Sequence, residues 1–98
     1  DATLFTVNNS PFQLEAHNES DGSQAWSWTP PVGYTRFVSN VIVTNNLVFV
    51  STDTTTFAID RVQHATAWSY PETGQLAMSA NGVLYIIGQH KVTAINLR

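Results

Sequence analysis

The most constraining feature of this sequence is that it repeats itself. Moved along by 36 residues, the segment 42–57 lies on 78–93. Asn45-Asn46 then falls on Asn81-Gly82, Leu47-Val48-Phe49-Val50 on Val83-Leu84-Tyr85-Ile86, and Ala58-Ile59-Asp60 on Ala94-Ile95-Asn96. A second match lies upstream at 42 residues, setting Ala16 on Ala58, Asn18 on Asp60, and Trp26-Ser27-Trp28 on Trp68-Ser69-Tyr70. The six extra residues fall mainly in 30–40. A chain that repeats at this period folds as a series of like units, each burying its faces against the next.

The units are β. No window holds the i, i+3, i+4 apolar spacing of a helix, and short β-rich runs alternate with turn residues. Strands are expected at 4–7, 12–16, 25–29, 41–44, 47–51, 55–60, 65–70, 75–79, 83–87 and 91–97. Asn81-Gly82 is the strongest of the intervening hairpin signals. Four short strands per unit, at a period of roughly 36–42 residues, is the spacing of a β-propeller blade. The expected fold is therefore all-β, as consecutive four-stranded antiparallel β-propeller blades, one complete and two partial. With strands lettered A to D, 1–31 forms a partial blade (B-C-D). Residues 32–70 form a complete blade behind a long leading loop, and 71–98 a partial blade (A-B-C). Residues 30–40, with Pro30-Pro31 and Gly33, are expected to be mobile or to form a functional loop.

The repeat resembles that of quinoprotein-type propellers, the pyrroloquinoline-quinone-like repeat. Its tryptophan-docking motif reads Ala-x-Asp-x-x-x-Gly-x-x-x-Trp. Ala16, Asn18, Gly22 and Trp26 fit every spacing, with Asn for Asp. Ala58, Asp60 and Trp68 fit a second copy, with His64 at the glycine place, and Ala94 and Asn96 open a third. The resemblance implies that Trp26 and Trp68 pack between blades and hydrogen-bond the adjoining one. An Asp or Asn after the third strand can satisfy turn N–H groups, and a buried indole N–H needs an acceptor. Glycine permits a left-handed turn that histidine tolerates less well, so residues 61–66 are expected to turn differently from 19–23.

Composition narrows the function. Apolar residues are 43%, enough for a packed core, and charged residues only 11%, against the usual ~25%. The net charge is −3, with Arg36, Arg61, Lys91 and Arg98 scattered, so neither a nucleic-acid stripe nor a polybasic membrane patch is present. There is no cysteine, which removes disulfides, thiol nucleophiles and Cys-ligated metals. Asn8-Asn9-Ser10 and Asn18-Glu19-Ser20 read as glycan acceptors in a secreted chain or as ordinary turns, and the composition leans towards a periplasmic or extracellular setting.

Chemistry-bearing constellations are sparse. His17, His64 and His90 lack metal-ligand spacing, and 18–22 matches a calcium loop only loosely. No Gly-x-Ser-x-Gly elbow occurs, and the carboxylates are dispersed. The sequence thus nominates no catalytic, metal or cofactor residue. Trp26 with Trp28, and Trp68 with Tyr70, lie two apart and share a strand face, as sugar platforms or as packing between units. Tyr34 and Phe37 are candidate exposed contacts. The expected role is a non-catalytic scaffold or a module binding protein or ligand, within a larger propeller. Its partners would be neighbouring blades or other chains, with self-association through strand edges. Two alternatives stand beside it: part of a quinoprotein dehydrogenase or hydrolase with its active site elsewhere, and a carbohydrate-binding module.

Overall fold

The computed structural model describes residues 3–31 and 33–97. These form ten strands and no helix. In chain order they are β1 (Thr3–Asn9), β2 (Phe12–Asn18), β3 (Gln24–Trp28), β4 (Ile42–Val43), β5 (Leu47–Ser51), β6 (Thr56–Asp60), β7 (Ala65–Tyr70), β8 (Gln75–Met78), β9 (Val83–Ile87) and β10 (Val92–Asn96). Every expected strand is present. Alternating or continuous apolar runs set them, and Asn, Gly, Asp and Pro clusters stop them.

The strands pair antiparallel into three separate sheets: β1-β2-β3, β4-β5-β6-β7 and β8-β9-β10. No strand among the described residues closes one sheet onto another, and β1 and β10 are each paired on one side only. Two apolar layers lie between the sheets. Leu14 and Trp28 of the first sheet meet Val48, Val50, Phe57 and Ile59 of the second. Phe49 and Ala58 of the second meet Leu76, Leu84 and Ile86 of the third. The second sheet is apolar on both faces, with Val48, Phe49, Val50, Phe57, Ala58 and Ile59 all at 2% exposure or less. This is why β5 and β6 read as continuous apolar runs and not as alternating ones.

The two outward faces of this stack differ. On the first sheet the pairs Thr6↔Glu15, Asn8↔Gln13 and Leu4↔His17 point away from the core, polar except for Leu4. On the third, Val83↔Asn96, Tyr85↔Ala94 and Ile87↔Val92 point away, largely apolar.

Residues 35–40 are anchored. Phe37 bridges to Thr52 and is 6% exposed, ringed by Phe12 at 4.8 Å. Its N–H donates to Asn9 Oδ1 (2.9 Å), and the N–H of Thr35 donates to Asp53 Oδ1 (3.1 Å). The Asn40 amide takes both polar backbone groups of Leu76, donating to its carbonyl and accepting from its N–H, at 3.0 Å each. This side chain ties the connection to the third sheet across 36 residues of sequence.

The turns that follow β2 and β6 share one shape, which corrects the expectation for residues 61–66. Gly22 has φ +76° and His64 φ +58°. Gly22 N–H donates to Asn18 O (2.8 Å) and His64 N–H to Asp60 O (2.9 Å). The pairing slips at matching places, between Ala16 and His17 and between Ala58 and Ile59. The left-handed conformation costs a non-glycine residue ~1–2 kcal/mol. His64 sets a ring stack on Trp26 against that cost, with centroids 4.2 Å apart and planes at 9°.

Candidate functional site

The residues of the repeated motif come together as a row across each sheet. In the first sheet Ala16 lies opposite Phe5 on one side and Trp26 on the other. In the second, Ala58 lies between Phe49 and Trp68. Both alanines are fully buried. The small side chain leaves space for the aromatic ring to reach over it to the indole. Phe5 and Trp26 have centroids 5.7 Å apart, and Phe49 and Trp68 5.8 Å. Such offset or edge contacts contribute ~0.5–1.5 kcal/mol beyond the buried area. In the third sheet Ala94 lies opposite Tyr85, but among the described residues no strand pairs with β10 on its other side, and Ala94 is exposed. Asn96 is paired with Val83 at the end of the same ladder.

The acidic positions diverge. Asp60 Oδ1 accepts the N–H groups of Val62 (2.8 Å) and Gln63 (3.0 Å), and these bonds, Gln63 foremost, hold its carboxyl below the ordinary value. Asn18 instead donates its amide to Ser23 Oγ (3.1 Å), and Asp21 Oδ1 takes the Ser23 N–H and hydroxyl.

Trp26 stacks on His64 and meets Phe5 in a T-shaped contact, and the Arg61 guanidinium sits over the Phe5 ring at 5.3 Å. The indole that bonds across the first inter-sheet layer is that of Trp28. It donates Nε1–H to Thr66 Oγ1 (3.0 Å), lies 5.1 Å from the Phe57 ring and is 7% exposed. The motif assigned this bond to Trp26. The clue to Trp28 was its place two residues on, on the same strand face. Tyr70, two residues after Trp68, is 39% exposed. Phe37 is buried and so is not the exposed contact that a long loop suggested, whereas Tyr34 is half-buried and packs edge-on to Phe57 at 5.1 Å. Apolar side chains in a connection that crosses a core are recruited into it.

A polar network covers the outward face of the first sheet. Glu15 Oε2 accepts from Gln13 (2.7 Å) and Asn8 (3.1 Å), and Glu15 Oε1 lies 2.9 Å from His17 Nε2. His17 Nδ1 reaches Gly22 O at 3.1 Å. The Gln13 bond, then those of His17 and Asn8, hold Glu15 down at about 2. Glu15, then the Gly22 carbonyl, push His17 up. Both ring nitrogens face acceptors, an arrangement that favours the imidazolium, in which both nitrogens donate. Nothing in the sequence announces this cluster beyond the residues that alternate along β2.

Two clefts open at opposite ends of the sheets. One of about 580 Å³ is lined by Arg36, Asp53, Thr73, Gln75 and Gln89, among others, where the hydroxyl of Thr73 donates to Thr52 O. The other, about 370 Å³, is lined by Asn18, Trp26, Asn45, Arg61 and His64. The Arg61 guanidinium there donates to Thr44 O at 2.7 Å. No three His, Asp or Glu side chains among the described residues gather as metal ligands, and His17, His64 and His90 lie apart. No family model matches the chain, and no curated protein matches it.

Proposed function

We propose that this chain is a non-catalytic segment of a β-propeller, built from repeats that resemble the quinoprotein type, and that it works as a scaffold for binding other polypeptides. The observation that carries this reading is the recurring row of aromatic, alanine and tryptophan, with the same slip and the same left-handed turn beside it. Each row is aimed at the next sheet, which is what stacking of blades requires. A sugar-binding role is less well supported, because His64 stacks on the Trp26 ring and Trp28 is buried.

Two measurements test this. Residual dipolar couplings in solution give the rotation between sheets. One common rotation should carry the first sheet onto the second and the second onto the third, whereas clearly unequal rotations would overturn the blade reading. Light scattering tests the scaffold role, since the unpaired edges of β1 and β10 and the apolar outer face of the third sheet should drive self-association. A folded monomer at every concentration would count against that role.

A further inference from the structure

We infer that the larger of the two clefts, at the end of the second and third sheets, is a binding site for uncharged polypeptide main chain, of the kind that an exposed loop of a partner protein presents. The inference deepens the proposed binding role and rests on it.

The cleft is built from internal segments of the chain. Arg36 and Val38 come from the connection before β4, Asp53 from the β5–β6 turn, Gln75 from the start of β8, and Gln89 from the β9–β10 turn. Its volume of about 580 Å³ lies within the ~300–1,000 Å³ of sites that hold small ligands. The walls are fixed by bonds of their own. Asp53 Oδ1 accepts the Thr35 N–H (3.1 Å), Gln75 Nε2 donates to Val38 O (2.9 Å), and the Thr73 hydroxyl donates to Thr52 O. Lys91 pairs with Glu72 at 2.9 Å, joining the β9–β10 turn to the β7–β8 connection. A cleft held in this way loses little freedom when a ligand enters.

The polar groups left over define the ligand. Arg36 and Gln89 are exposed, and neither side chain makes a hydrogen bond or ion pair among the described residues. The Asp53 carboxyl is held below its ordinary value, first by the Thr35 N–H and more weakly by the charge of Arg36, yet the two side chains do not pair. A group lodged against both must accept a hydrogen bond from the guanidinium and donate one to the carboxylate. A peptide unit does both and carries no charge. A carboxylate ligand would suit Arg36 but be repelled by Asp53, and an ammonium the reverse. Side-chain amides complete the match, because each offers a donor and an acceptor. Asn40 shows this mode within the chain, since its amide takes the N–H and the carbonyl of Leu76 together, at 3.0 Å each. In the cleft Gln89 has its whole amide to offer, and Gln75, with Nε2 bound to Val38 O, offers Oε1.

The test titrates the whole protein with a capped neutral peptide, acetyl-Ala-Ala-Ala-amide, and follows the side-chain NMR signals of Arg36, Gln75 and Gln89. These should move saturably while the Gln13 amide of the first sheet stays still. Arg36→Met and Gln89→Leu, at exposed positions, should keep the fold by circular dichroism and weaken binding by about tenfold and about threefold. Methyl glucoside, a source of adjacent hydroxyls, and acetate, a lone anion, are the competing probes. Saturable shifts from either with none from the peptide would overturn the inference. So would a peptide response unaltered by Arg36→Met, or no response from the folded protein. An inert cleft in a protein that still self-associates would overturn it while leaving the scaffold reading in place.

Discussion

At the scale of single residues, the clearest consequence concerns Trp28. Its ring fills the first inter-sheet layer and its N–H is satisfied by one hydroxyl. Trp28→Ala should cost ~3–5 kcal/mol in urea denaturation, as for a large buried ring. Thr66→Val should cost ~1–3 kcal/mol, because it strands the indole donor. If the valine variant proved neutral, the hydrogen bond would be irrelevant to stability. The Glu15–His17 pair gives a pH signature. His17 has a folded value above its ordinary 6.5, so its contribution is complete below 6.5 and is lost as pH rises through the folded value. Glu15 sits at about 2 against 4.5, so its contribution is complete above 4.5 and is lost as pH falls towards 2. Tm should therefore peak between these limits. The acid limb is shared with Asp21, Asp53 and Asp60, which are also held low. The alkaline limb near neutrality is specific, and His17→Gln should flatten it. An unchanged alkaline limb in that variant would show that the pair does not couple to folding.

At the scale of elements, turns and strands were legible in the sequence because their causes are local. Alternation, short apolar runs, Asn-Gly and Pro-Pro act within a few residues, and the ten strands follow from them. Residues 30–40 were not legible, because their causes are distant. Phe37 is fixed by Asn9, and Asn40 by Leu76, contacts that no local pattern announces. The turn at His64 misled for a related reason. Intrinsic preference argues against the left-handed conformation, and a ring on another sheet outweighs it. The connection between β7 and β8 carries a sharper constraint. A Cβ on Gly74 would lie 2.2 Å from the Ile87 carbonyl oxygen, whereas one on Gly88 would meet Thr73 O at 3.2 Å. Gly74→Ala should destabilise by ~1–3 kcal/mol, the usual range for overpacking. Gly88→Ala should cost clearly less, and equal losses in thermal melts would contradict this close approach.

At the scale of the whole molecule, three sheets and two apolar layers make a body of 40 × 31 × 19 Å. The candidate site was half legible. The motif spacing located the alanines and tryptophans, but the rows that they form required the register of pairing, which a sequence does not carry. The two outward faces have a consequence for how such bodies accumulate. A unit that was adhesive on both sides would add copies head to tail without limit and grow into fibres. Here one end is dressed with Asn8, Gln13, Glu15 and His17, whose polar groups are already spent on one another. The other end is apolar, with Tyr85, Ile87 and Val92 on its outer face. If copies meet through that face they do so back to back, and a contact of that kind closes at two.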